Sequence, residues 1–149
     1  MNLSFLFINM TQQIVILAAG KGTRMGADMP KVLLPLGDRP IIKHLLDHVE
    51  QIPQLTKPII VVGFQKERVR QELGLEYIYV TQFDQCGTAH AVLSTKDTIT
   101  ADNIIVLNGD MPFTTKESLQ NLIDTHTSNN AMITMVPCVV PNYEETVYQ

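Results

Sequence analysis

Residues 17–31 combine residue types that bind anions. Three of these residues are glycines, which leave backbone N–H groups unshielded and permit positive φ angles, so the chain can fold closely around a ligand. Arg24 and Lys31 add two positive charges to the same short segment. An apolar run leads directly into it, as a strand leads into a loop. We predict a loop that binds a polyphosphate; the alternative is a glycine-rich turn that only joins a strand to a helix.

The spacing of these residues separates the loop from two common phosphate-binding motifs. Both the dinucleotide fingerprint and a Walker loop starting at Gly20 require glycine at position 25, which is Met25. The dinucleotide fingerprint also needs an acidic residue at the end of the next strand, about 20 residues further on. The next apolar run instead ends in Val62 and Gly63. The loop therefore belongs to a different class.

A second candidate segment, residues 82–91, reads Q-F-D-Q-C-G-T-A-H-A and follows an apolar run. The amide of Gln82 offers a donor and an acceptor side by side, which suits the edge of a pyrimidine base. Gly87 permits close approach of a ligand, and Thr88 can either cap the following helix or bond a ligand. Composition alone also allows a loop that only caps a helix.

A third candidate segment, residues 107–112, reads L-N-G-D-M-P at the end of a predicted strand. Magnesium takes few carboxylates together with waters and substrate phosphates, so the single carboxylate of Asp110 is a suitable ligand at a strand end. The alternative is an aspartate that only begins a turn before Pro112.

Taken together, L-A-A-G-x-G-T-R-M followed by P-K, Q-x-x-Q-x-G-T-x-H-A and a strand ending in G-D-x-P resemble the sugar-1-phosphate nucleotidyltransferases, specifically the N-acetylglucosamine-1-phosphate uridyltransferases. The resemblance covers about residues 13–136. It implies transfer of UMP from UTP to a sugar 1-phosphate, N-acetylglucosamine 1-phosphate, with Mg²⁺ as cofactor and release of pyrophosphate. The product would serve the synthesis of cell-wall precursors.

The resemblance also implies a role for each site residue. Arg24 and Lys31 would bind the phosphates and the leaving pyrophosphate as the catalytic cations, and Asp110 would bind the metal. The nucleotide would be bound by Leu17, Ala18, Ala19, Gly20, Lys21, Gly22, Thr23, Gln82, Gly87, Thr88, Asn108 and Gly109.

Short apolar runs alternate with helical patterns along the chain, which is typical of a parallel sheet. We predict helices over residues 40–51, 66–73 and 88–96 and from residue 114, with a capping box of Thr114 and Glu117. Strands are predicted at residues 14–17, 58–62, 76–81, 103–107 and 131–137. The predicted fold is a Rossmann-like αβα sandwich of three layers with a mostly parallel sheet, as in the nucleotidyltransferases (glycosyltransferase-A-like), incomplete at its C-terminus. Ligands bind such sheets at the carboxyl ends of the strands, where the phosphate loop and Asp110 fall, so these two motifs can face one site.

Composition limits the function classes further. The chain has 149 residues, the size of one domain, and its hydrophobic fraction of 45% excludes a disordered protein. A net charge of -4 argues against a nucleic-acid partner, and no stretch reaches the roughly 20 apolar residues of a membrane span. Cys86 and Cys138 are interpreted as reduced thiols of a cytoplasmic protein. His44 and His48 lack a third ligand for zinc and are assigned to a solvated helix face.

We divide the chain into an N-terminal extension, residues 1–12, and the nucleotide-binding part of a nucleotidyltransferase domain, residues 13–149. Met10 is an alternative start to Met1. Family members continue beyond the fifth strand with sugar-binding residues and a second metal ligand, so we expect a fragment of a longer enzyme, whose unfinished sheet edge favours self-association. The alternatives are a half completed by a partner, a nucleotide-binding module without catalysis, and a transferase for CTP or another nucleotide.

Overall fold

A computed structural model describes residues 10–22 and 28–137 of the chain. The predictions made for Thr23, Arg24, Cys138 and most of the N-terminal extension lie outside these residues. Within them the chain forms, in order, β1 (Gln12–Ala18), β2 (Pro35–Leu36), β3 (Arg39–Pro40), α1 (Ile41–Val49), β4 (Leu55–Val62), α2 (Lys66–Leu73), β5 (Ile78–Thr81), α3 (Thr88–Leu93), β6 (Asn103–Asn108) and α4 (Lys116–Ser128).

Four of the strands form one parallel sheet in the order β5-β4-β1-β6, which confirms the predicted parallel α/β architecture. The chain first adds strands on one side of β1 and then crosses over to place β6 on the other side. The strand order therefore reverses between β1 and β6, and ligands of open parallel sheets bind at the carboxyl ends of the strands beside such a reversal.

The carboxyl ends of the four strands are in register. Thr81 of β5 pairs with Val62 of β4, Val62 pairs with Ala18 of β1, and Leu17 pairs with Asn108 of β6. The loops that follow the four strands therefore leave the sheet side by side, which brings together three segments that are far apart in the sequence.

At the two central strands, β1 and β4, both faces of the sheet are buried, as expected when crossover helices cover a parallel sheet. On one face, Val15, Ile59 and Val61 pack in a cluster with Ala91 of α3. The alternate residues of the same strands, Ile14, Ile16, Ile60 and Val62, are also fully buried. Right-handed crossovers, the rule for parallel strands, would place α1 and α2 on this second face.

Helix α1 shows how sequence periodicity becomes packing. Its apolar residues recur every three or four positions, and four of them are buried: Ile42, Leu45, Leu46 and Val49. Pro40 precedes the helix with a φ of -59°, which suits a helix start, where the N–H that proline lacks has no intrahelical partner. Burying a side chain of this size contributes about 1.5–3 kcal/mol relative to exposure.

Two polar contacts fix the starts of β1 and β6. The backbone N–H and the hydroxyl of Thr11 both donate to the carboxylate of Asp102 over 2.9 Å, and these bonds lower the pKa of that carboxyl. The buried side chain of Gln13 donates to the Lys57 carbonyl over 2.9 Å and accepts from the Thr100 N–H over 3.1 Å. β1 is thereby tied to the segments on both sides of it.

The structure corrects two of the predicted elements. Residues 131–137 do not form a strand; their apolar side chains are largely exposed, and an apolar sequence makes a strand only where a neighbouring backbone accepts its hydrogen bonds. Helix α4 begins at Lys116 rather than at Thr114, because the Thr114 N–H bonds the Met111 carbonyl in a turn.

The chain divides into two compact units after Thr115, and α4 belongs to the second.

Three short elements were not predicted. A 3-10 turn spans Lys31–Leu33, and β2 pairs with β3 in a small antiparallel hairpin around Gly37. No helix in the described part of the chain is long and apolar enough to cross a bilayer.

Candidate active site

A cavity of about 310 Å³ lies where the carboxyl ends of β1 and β6 meet the segment that follows β5. Most of the predicted site residues line it: Leu17, Ala18, Ala19, Gly20, Lys31, Gln82, Gly87, Thr88, Asn108 and Asp110. Val32, Gln85 and Ala91 complete the lining. The loops that the sequence predicted to meet at one sheet edge do meet there.

Gly109 makes the close approach of β6 to β1 possible. Its N–H donates to the Leu17 carbonyl over 2.9 Å. A Cβ atom at this position would lie 3.0 Å from that oxygen and 2.9 Å from the side chain of Val32. Gly109 is therefore required for packing at the end of the strand, and it is not among the residues that line the cavity.

Lys31 and Asp110 form an ion pair beside the cavity, with 2.5 Å between Nζ and a carboxylate oxygen. Both side chains are partly exposed, at 42% and 30%. The 3-10 turn that begins at Lys31 aims this lysine toward β6, and Gly22, whose φ is 67°, leaves room for it. A Cβ atom on Gly22 would lie 2.9 Å from the Lys31 Cβ. The predicted cation and the predicted metal ligand thus occupy one site.

The amide of Gln82 is buried and has a defined orientation. Its Nε2 donates to the Gly87 carbonyl over 3.2 Å and lies 3.2 Å from Nδ1 of His90. Because a carbonyl can only accept, the Gly87 contact identifies the amide nitrogen. Gly87 has a φ of 91°, a value that favours glycine, and so the chain can turn from this contact into α3.

The structure corrects the capping role allowed for Thr88. Gly87 is the N-cap of α3 and Thr88 is its first residue, so no side chain caps this helix. Thr88 instead lines the cavity.

Lys21, in the loop after β1, is not among the residues that line the cavity; its Nζ lies over the ring of Phe64, 5.3 Å from the ring centroid.

One polar residue of the cavity was missed from the sequence. Gln85 donates from Nε2 to the Ala19 carbonyl over 3.0 Å. The signal was present as the second glutamine of the Q-x-x-Q motif, but a hydrogen bond to a loop 66 residues away cannot be inferred from local spacing.

The same edge of the sheet carries a wider groove of about 680 Å³ at the ends of β4 and β5. Gln82 and Gln85 line both it and the cavity. The groove contains two aromatic side chains, and Lys66 lies over the ring of one of them, Phe83, 5.5 Å from its centroid. Among the residues that the structure describes, none of those predicted to bind phosphate lines this groove, so we place the site in the smaller cavity.

Asp110 is the metal-ligand candidate of the site. No group of three or more His, Cys, Asp or Glu side chains lies close enough to hold an ion within residues 10–22 and 28–137. His44, which lacked a third zinc ligand in the sequence, was assigned to a solvated helix face. The structure corrects this, because His44 is only partly exposed and its Nε2 lies 2.9 Å from the Leu36 carbonyl oxygen. A single carboxylate suits a hard cation that keeps its waters and takes further oxygens from a substrate.

Comparisons with known proteins show which family this chain resembles. The family model described as "MobA-like NTP transferase domain" matches residues 14–147. The chain is 43% identical over 126 residues to a bifunctional protein GlmU from Desulfotalea psychrophila, an alignment that covers 83% of this chain and 37% of that protein. The chain spans between 26% and 37% of the length of the curated GlmU relatives it matches.

Solved structures share the fold. Rv0371c from Mycobacterium tuberculosis H37Rv, in complex with manganese, gives a TM-score of 0.66 at 24% identity over 80% of this chain and 61% of that one. A CMP:2-keto-3-deoxy-manno-octonic acid synthetase complexed with CTP gives 0.63 at 23% identity over 81% and 49%. These likenesses concern the fold, which confirms the predicted nucleotidyltransferase architecture. The family match runs through every strand-end loop described above, and the chain belongs to the MobA-like NTP transferases.

Proposed function

We propose that this chain carries the nucleotide-binding and phosphate-binding part of a transferase that moves UMP from UTP to N-acetylglucosamine 1-phosphate, giving a UDP-sugar and pyrophosphate. The observation that carries the proposal is the cavity in which the Lys31–Asp110 ion pair lies beside Gln82 and the loop after β1. The similarity to GlmU proteins over most of the chain supports this substrate choice. Because the chain spans a minor part of those proteins, the sugar specificity and the complete reaction are proposals.

The reaction needs positioning and charge neutralisation more than proton transfer. A phosphate oxygen of the sugar 1-phosphate attacks the α-phosphorus of UTP in line, and pyrophosphate leaves. The attacking oxygen is already an anion, so no general base is required. Lys31 neutralises charge on the triphosphate, and the backbone of residues 17–20 holds the nucleotide in the reactive orientation. Arg24 is proposed to bind the leaving pyrophosphate, although it lies outside the described residues.

Asp110 would hold the divalent cation, which we propose to be Mg²⁺. Its carboxylate lies at the end of β6 and lines the cavity, and a hard oxygen ligand in that place fits such an ion. When bound, the ion would neutralise charge on the phosphates. The manganese complex of Rv0371c, which shares the fold, supports a divalent metal.

Gln82 is proposed to contact the uracil base, and Gly87 and Thr88 the nucleoside. With its Nε2 bonded to Gly87 and close to His90, the amide presents its carbonyl oxygen as the group left for a ligand, and uracil N3–H is a matching donor. The amino group of cytosine is also a donor. The CTP complex of a protein with this fold therefore makes a cytidylyltransferase the second candidate.

Cys86, an exposed free thiol, suits the reducing cytoplasm in which we place the reaction.

The test is pyrophosphate release from UTP with N-acetylglucosamine 1-phosphate, measured with Mg²⁺ and with EDTA. Asp110→Asn should lower the rate by at least about 100-fold, since charge stabilisation at such sites commonly has this magnitude. Asp97→Asn, the same change at an exposed aspartate outside the cavity, should leave the rate unchanged. Binding of UTP without turnover would favour a binding module, and faster release from CTP would favour the second candidate.

A further inference from the structure

The carbonyl of Ala19, the first residue after β1, accepts two hydrogen bonds from two different loops. The Phe64 N–H, just after β4, donates to it over 3.2 Å. The side-chain amide of Gln85, in the segment after β5, donates to it over 3.0 Å. A carbonyl oxygen has two acceptor positions, and here the protein uses both.

Gly63 shows how tightly this carbonyl is enclosed. A Cβ atom at position 63 would lie 2.9 Å from the Ala19 oxygen and 3.0 Å from the Ala19 Cβ. The end of β4 can approach Ala19 so closely only because Gly63 has no side chain. Ala19 itself is buried, with 6% of its surface exposed.

We propose that Gln85 is a positioning residue that fixes the peptide between Ala19 and Gly20 for binding of the triphosphate. The proposal rests on the function proposed above and assigns a role to a residue outside the predicted site. Gln85 would act on the phosphates through the backbone, whereas Gln82 would contact the base.

The physical link is the planarity of the peptide bond. In a trans peptide the C=O of Ala19 and the N–H of Gly20 point in opposite directions, so fixing one fixes the other. Gly20 lines the cavity, and no acceptor in the described part of the chain takes its N–H. A backbone N–H held in this way is a preorganised donor for a phosphate oxygen.

The first test uses the protein without ligand. Gln85→Met keeps the size and neutrality of the side chain and removes its donor. We expect the backbone amide signals of Gly20 and Phe64 to shift in NMR spectra and the exchange of the Phe64 N–H with solvent to accelerate. Gln51→Met is the matched control, because Gln51 is exposed and bonds only the Asp47 carbonyl one turn earlier. Unchanged Gly20 and Phe64 signals in Gln85→Met would overturn the proposal whatever the protein binds.

The second test compares three ligands: UTP, uridine and inorganic tripolyphosphate. Loss of one neutral hydrogen bond should weaken binding of UTP and tripolyphosphate about fivefold in Gln85→Met, with binding of uridine unchanged. Gly63→Ala, which pushes on the same carbonyl from β4, should show the same selectivity. An equal loss for uridine and UTP would mean that Gln85 contacts the base, which contradicts the proposal.

The two proposals fail in different ways. If the wild-type protein binds all nucleoside triphosphates equally, the uridine assignment fails, but the loss of triphosphate binding in Gln85→Met still supports the positioning role. If UTP is preferred and Gln85→Met binds UTP and tripolyphosphate like the wild type, the positioning role fails and the proposed function stands.

Discussion

At the scale of single residues, the ion pair of Lys31 and Asp110 brings the predicted phosphate-binding cation into contact with the predicted metal ligand. Each side chain neutralises the other when no substrate is bound. A metal ion at Asp110 and a phosphate at Lys31 would each replace a partner that is already present. Binding of either one alone must therefore compete with the ion pair, whereas binding of both exchanges one set of charge contacts for another.

This competition predicts that removing a side chain from the site tightens metal binding. Lys31→Met should tighten Mn²⁺ binding to the nucleotide-free protein by up to about fivefold, because a partly exposed ion pair is worth up to about 1 kcal/mol. The same variant should weaken UTP binding. Free Mn²⁺ measured by electron paramagnetic resonance would report the first effect. Lys43→Met, which breaks the equally short pair with Glu72 on the protein surface, is the control and should change neither affinity.

An unchanged or weaker affinity for Mn²⁺ in Lys31→Met would show that the lysine does not compete for Asp110. That result would contradict the assignment of Asp110 as the metal ligand, because a carboxylate that binds Mn²⁺ must be released from its partner first.

At the scale of secondary structure, β1 depends on its neighbours on both sides. Gln13 is almost fully buried at its start and bonds the Lys57 carbonyl and the Thr100 N–H. We expect Gln13→Leu to lower the free energy of unfolding by about 1–3 kcal/mol, because its two part-buried hydrogen bonds with backbone groups are lost. Urea denaturation would measure this loss. Gln51→Leu, at an exposed site just after α1, should cost much less, and equal losses would contradict the role given to Gln13.

The elements that were predicted well are those whose pattern is local. The prediction for α2, Lys66–Leu73, is correct at both ends, and the sheet strands were found because short apolar runs stand out from polar loops. The hairpin of β2 and β3 was missed, since two residues per strand are too few to show a period. Residues 131–137 have a strand-like composition, but composition cannot show whether a neighbouring strand is available.

The candidate site could be predicted only in part, because its motifs are local in the sequence whereas its contacts are not. The motifs identified which loops meet, because parallel strands end at a common edge. The contact of Lys31 with Asp110 joins residues 79 positions apart, and it depends on an unpredicted 3-10 turn and on the space left by Gly22. The roles assigned to the site residues, those of Thr23 and Arg24 included, remain predictions.

At the scale of the whole molecule, β6 has one free edge among the described residues, and Ile104 and Val106 on it are 38% and 41% exposed. Exposed apolar edge strands favour pairing between chains. We expect the chain to self-associate with increasing concentration in sedimentation experiments. Val106→Lys should reduce this association, whereas Leu75→Lys, at a more exposed apolar residue away from β6, should not. A monomer at all concentrations would contradict the prediction.

The central position of β1 also has a kinetic consequence. Its partner β6 lies far along the chain, and the contact between Thr11 and Asp102 spans 91 positions. Contacts of such long range form late in folding, after a large loss of chain entropy. The phosphate loop leaves β1 early in the sequence, but the wall that carries Asp110 is added only when β6 pairs. A chain emerging from the ribosome would therefore acquire its nucleotide-binding cavity in one late step rather than gradually.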